Sequence, residues 1–156
     1  MKSKKDNIAE YILYLWQIED YLRAFPEKAA ESTELMELYD MMHIEGILGG
    51  GHLQLAQNAL SELEDLHAEL LDTEAPYRAV IMHLPPTLTI LKAKTDRPNM
   101  SDVEACLVLL YQIMMLRLQK KEITPNTAHA VKEITTFIGM LSDYYKKDKE
   151  EGLKFE

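Results

Sequence analysis

The sequence predicts an all-α protein, a single-domain bundle of about six helices packed around a largely apolar fifth helix. Three observations carry that expectation. Apolar residues recur at three- and four-residue spacing along most of the chain. No stretch shows the two-residue alternation of a strand. Proline, glycine and capping residues interrupt the periodic segments at helix-like intervals. A domain of 156 residues buries roughly 70% of its unfolded surface, enough for a core without disulfides or metal.

The first helix starts after Asn7, a good N-cap followed by Glu10 three positions on, and ends at Pro26. Its apolar face is Ile8, Tyr11, Ile12, Leu15, Ile18 and Leu22. The second is expected over residues 27–47, with Leu35, Leu38, Tyr39 and Met42 inward, and Gly49, Gly50 and Gly51 then break the chain. The third covers residues 52–71, with Ala56, Leu60, Leu63, His67 and Leu70 on one stripe. The fourth begins near Pro76 and meets Pro85–Pro86, which predicts a kink or two short helices because tandem prolines remove two donors. Residues 96–100 read as a turn. Ser101 caps the fifth helix, with Glu104 completing an S-x-x-E box. Residues 105–118 are apolar nearly all round, which marks that helix as central. Thr124 and Pro125 open the sixth as cap and first-turn proline, and its seam is Ile134, Ile138, Leu141 and Tyr145. The domain therefore spans residues 7–147, between a disordered N-terminus at 1–6 and a charged flexible tail at 148–156.

Composition excludes several functions. Seventeen Lys and Arg face 26 Asp and Glu, a net charge of -9 that repels nucleic acid. The basic residues form only short runs at helix ends, where they complement the helix dipole. The longest apolar run, 105–118, is broken by Gln112 and Arg117 and falls short of the ~20 residues that span a bilayer. The charged start of the chain is followed by no signal-type apolar core. One cysteine, Cys106, sits in the apolar fifth helix and cannot form an internal bridge. A cytoplasmic protein is expected, with no membrane and no nucleic acid among its partners.

The segments NIAEYILYLWQIED at 7–20, GHLQ at 51–54, DLH at 65–67, LRLQKKEI at 116–123 and LSDYYKKD at 141–148 resemble an uncharacterised family of small all-helical bacterial proteins, a domain-of-unknown-function family. The resemblance spans nearly the whole chain. It implies a bacterial, cytoplasmic, helical protein and carries no catalytic residues to transfer.

Three polar residues fall where the wheels are apolar: Glu19 between Leu15 and Leu22, His67 among Leu60, Leu63 and Leu70, and Arg117 near Cys106, Leu110 and Ile113. A lone buried charge costs several kcal/mol, so the economical arrangement is a buried cluster of Glu19 with Arg117, joined by His67. That cluster reads either as a structural ion pair that sets helix register or as a functional pocket between the first, third and fifth helices. Glu64 and His67 also spell Glu-x-x-His, half of a dinuclear carboxylate site, and Asp40 with His43 is the nearest second copy but projects away from the inner face. With Arg117 on the same inner surface as a counter-charge, no metal and no cofactor are expected. Gly49–Gly50–Gly51–His52 lacks the Lys–Ser/Thr of a phosphate loop and reads as a flexible interhelical turn, with His52, His83 and His129 at surfaces or helix edges.

Two functions are compatible with these features. The leading one is a non-enzymatic helical protein that acts through association, most simply as a homodimer. Trp16, Tyr14 and Tyr21 lie outside the core stripe of the first helix and the fifth has little polar surface, while Met41, Met42, Met114 and Met115, which can signal a partner surface, are in helices this apolar more often core filler. The competing one is a small-molecule or metal site using Glu19, His67 and Arg117.

Overall fold

Seven α-helices and one 3-10 segment form the chain in a computed structural model that describes residues 3–93, 97 and 99–155, with side chains as far as 151. Among these residues there is no strand. The chain divides into two compact units, Met1–Glu62 and Leu63–Glu156. The division falls inside a continuous helix.

In the first unit, α1 (Ile8–Ala24) is capped by Asn7, whose side chain accepts from Glu10 N–H at 3.1 Å. Its buried face is Ile8, Tyr11, Ile12, Leu15, Trp16, Glu19 and Leu22. Each fully buried aliphatic there contributes about 1.5–3 kcal/mol. Pro26 ends α1, as expected, but does not begin one long second helix. A 3-10 segment, Pro26–Glu31, is followed by a fresh start at α2 (Thr33–Ile44). The cause is Ser32, whose Oγ accepts from Leu35 N–H at 3.1 Å and so favours a new N-terminus over continuation. The C-terminus of α2 closes on Gly46 at φ +71°: its N–H reaches His43 O, and Ile47 N–H reaches Met42 O. That is the paired 5→2 and 6→1 pattern of a left-handed cap, which glycine adopts without Cβ strain.

The next helix, α3 (Gln54–Thr73), crosses the boundary between the units. Its buried stripe is Ala56, Ala59, Leu63, Leu66 and Leu70, with Leu60 and His67 half-buried at its edge. In the second unit the tandem prolines give two short helices, α4 (Ala75–Ile81) and α5 (Pro85–Ala93). Proline fits a first turn, where its missing N–H is unneeded, and not an interior. Of the turn expected at 96–100, residues 96 and 98 lie outside the described residues. Lys92 pairs with Asp102, and Arg97 with Glu104 at 3.0 Å, which ties the end of α5 and its loop to the next helix.

That helix, α6 (Asp102–Leu118), is capped by Ser101. Its all-round apolarity does not become all-round burial. Val103, Ala105, Cys106, Leu107 and Ile113 are buried, but Leu110, Met114 and Leu116 are half-buried and Leu118 is 62% exposed. Thr124 caps α7 (Pro125–Phe155), which buries Val131, Ile134, Phe137, Ile138, Leu141 and Tyr145. The helix continues past Lys147, where the sequence predicts its end, because residues 148–151 are Asp, Lys and Glu with no breaker among them. No helix among the described residues is long and apolar enough to cross a membrane.

Candidate functional site

Glu19 is fully buried, as its place on the wheel requires, but its counter-charge is not Arg117. Oε1 lies 2.6 Å from Nδ1 of His52, and Oε2 accepts from the backbone N–H of Leu53 at 2.8 Å. The imidazole stacks on the indole of Trp16, ring centres 4.9 Å apart and 25° from parallel. One turn further along α1, Arg23 donates from Nε and Nη2 to Ile47 O at 3.1 and 3.0 Å and from Nη2 to Gly51 O. Glu45 accepts from Gln54 N–H at 2.8 Å. The glycine loop expected to be flexible is thus clasped by Glu19, Arg23 and Glu45. Gly51, at φ +95°, makes the bend a side chain would strain. The amides leading into α3 already donate to carboxylates, so the loop is not an anion cradle.

This arrangement fixes one imidazole. A carboxylate on Nδ1 holds the ring in a single orientation and tautomer with Nε2 directed elsewhere, the arrangement seen behind metal-bound and proton-transferring histidines. His52 keeps 42% of its side chain exposed. Among the described residues no group of three or more His, Cys, Asp or Glu could hold a metal ion.

The other two members of the expected cluster have separate partners. His67, half-buried on α3, places Nδ1 2.5 Å from the hydroxyl of Tyr77 and meets Phe137 edge-on at 5.5 Å. Burial holds its pKa below the usual histidine value, opposed by the charge of Asp102. Burial likewise raises the phenol of Tyr77, and it pushes the Cys106 thiol up to about 12, with Asp102 adding to the effect. Cys106 is therefore a protonated core residue and no nucleophile. Glu64 is half-buried beside this group, while Asp40 and His43 are exposed. Arg117 is exposed as well. The wheel places it near Ile113, but the last turn of α6 emerges from cover, and the long arginine stem carries its charge to water.

Two depressions flank the line where α7 meets α6 at Ile113. One, about 550 Å³, is walled by α5, α6 and α7 through Leu91, Val108, Leu109, Leu116 and Ala130, with Glu133 and His129 at its mouth. The other, about 600 Å³, lies between α6 and α7 and is lined by Leu110, Met114, Leu118 and Val131, with Arg117 and Lys132 as its charges. Neither was foreseen. The only trace in the sequence is that residues 105–118 carry more apolar surface than their neighbours can cover.

A family described as Domain of unknown function (DUF4924) matches residues 1–32 and 26–152. The chain belongs to this family. No curated protein and no solved structure matches the chain significantly. Membership in DUF4924 agrees with the resemblance carried by the segments at 7–20, 51–54, 65–67, 116–123 and 141–148 and assigns no chemistry.

Proposed function

We propose that the protein is a non-enzymatic helical protein of the bacterial cytoplasm that acts through association, first with a second copy of itself. The observation that carries this reading is the open last turn of α6, where Leu118 is 62% exposed beside half-buried Leu110 and Met114. Arg117 and Lys132 rim this depression, and no acid lines it among the described residues. Neither cation has a carboxylate partner among them. A basic, apolar patch on a chain of net charge -9 is complementary to the acidic surface of another copy.

The surface differs from the one the sequence suggests. Trp16 was expected to face a partner, but it is 5% exposed and covered by His52, while Tyr14 and Tyr21 are half-buried. The aromatic rings within α1 are thus largely covered, whereas the end of α6 leaves apolar surface open at Leu118. Light scattering at micromolar concentration tests the proposal. A mass twice the 18.0 kDa of the chain, returning to the monomer value in Leu118→Glu, is expected. A monomer in the unaltered protein overturns it.

A further inference from the structure

We propose that the depression between α5, α6 and α7 is a small-molecule site, selective for a compact apolar body that carries one N–H or ammonium donor. This stands apart from the association surface, which lies on the other flank of the α6–α7 contact and is lined by different side chains except for Ile113.

The depression has the size and chemistry of a ligand site. Its volume of about 550 Å³ falls within the range of clefts that enclose small molecules, roughly 300–1,000 Å³. Three helices supply its walls, and Leu91, Val108, Leu109, Leu116 and Ala130 make them apolar. Its polar side chains are Thr87, Gln112, Asn126, Thr127, His129 and Glu133, of which Glu133 alone is an acid. Glu133, on α7, has Oε1 3.0 Å from Nε2 of His129 and is 26% exposed, whereas His129 is 76% exposed. The second carboxylate oxygen, Oε2, has no partner among the described residues.

Charge selects the occupant. No lysine or arginine lines the depression among the described residues, so an anionic ligand would set its charge against Glu133 with only the exposed His129 to offset it. A donor on the ligand instead meets Oε2, inside apolar walls that strengthen the contact by excluding water. Ile90, 57% exposed at the rim, is available to close over such a body.

Phenylnaphthylamine and anilinonaphthalenesulfonate test this directly, because they share an aromatic body and an N–H and differ by one sulfonate. Fluorescence titration of the whole protein should show saturable binding of the amine at one site per chain. The sulfonate should bind at least about tenfold more weakly, since like charges in an apolar cleft repel. Glu133→Gln should narrow that gap, mainly by improving the sulfonate. Val108→Phe and Ala130→Phe, each filling the cleft from a different helix, should abolish binding of the amine, with the circular dichroism spectrum confirming that at least one is folded. Equal affinity for both probes, or amine binding untouched by either folded filling variant, overturns the proposal. So does a result in which the amine never binds while Ala130→Phe dissociates a dimer, which would make the cleft an interface. Loss of dimerisation in Leu118→Glu with amine binding intact would separate this inference from the association reading.

Discussion

Glu19 must be satisfied entirely by protein groups, because its side chain has no access to water. It holds two donors, one from His52 and one from the backbone of Leu53. Hydrogen bonds to a charged group contribute about 1.5–3 kcal/mol each, and a buried donor left alone costs a similar amount. Glu19→Gln should therefore lower the free energy of unfolding by about 2–3 kcal/mol in urea titration, and Glu19→Ala by more. Combining Glu19→Gln with His52→Gln should cost less than the sum, by about 1 kcal/mol, if the pair acts as the geometry says. Strict additivity would show that the 2.6 Å contact carries no energy. His67 behaves differently. Unfolded, it takes a proton near pH 6.5; folded, burial makes it take one only at lower pH. Below about pH 6.5 the unfolded chain therefore binds more protons, and stability should fall as the pH is lowered from 7 toward 5. His67→Gln should flatten that limb, and an unchanged limb would assign it to other groups. Tyr77 mirrors this at the alkaline end, where stability should be lost as the pH rises past about 10. The sequence showed that Glu19 and His67 sit on apolar faces. It could not show what they meet, since His52 lies 33 positions from Glu19 and helical periodicity reports a direction rather than a partner.

Helix boundaries were more legible, because a cap is a local interaction. Asn7, Ser101 and Thr124 were each expected to start a helix, and each accepts from the N–H three residues on. The tandem prolines split α4 from α5 for reasons visible in the sequence. Ser32 was missed, since residues 27–47 are periodic enough to read through it. Glu104 illustrates a tertiary competitor: placed to complete a capping box, its carboxylate pairs with Arg97. The end of α6 carries the clearest prediction at this scale. Lys120 has φ +57°, its N–H reaches Arg117 O, and Lys121 N–H reaches Leu116 O. This is the same closure that Gly46 makes for α2, but with a Cβ in the left-handed region. A non-glycine residue there costs roughly 1–2 kcal/mol, offset in part by the greater unfolded freedom of glycine. Lys120→Gly should raise the unfolding free energy by about 0.5–1 kcal/mol, whereas Gly46→Ala should lower it by about 1 kcal/mol. A destabilised Lys120→Gly would mean that the lysine charge at the helix end outweighs the backbone strain.

At the scale of the whole molecule, an all-helical chain was legible from periodicity, while the central place expected of the fifth helix was not. An apolar sequence says that a helix face needs cover, without saying whether the cover comes from its own chain. Residues 110–118 show the difference, and Arg117 within them turns from an expected buried partner of Glu19 into a rim charge. Two forces would then act across a dimer at this patch. Leu118 and Met114 supply contact area that salt does not screen. Arg117 and Lys132 offset the repulsion between two chains of net charge -9, and that term is screened. The variants should separate accordingly in sedimentation equilibrium. Arg117→Met removes one exposed charge and should weaken the dimer by about 1 kcal/mol or less. Arg117→Glu reverses the charge against an acidic partner and should dissociate the dimer at low salt. It should recover near 1 M salt, where the screening length is about 3 Å. Leu118→Ser, which changes no charge, should remain dissociated at both. Recovery of Leu118→Ser but not of Arg117→Glu would invert the assignment of the two forces and remove the electrostatic argument for a second copy as the partner.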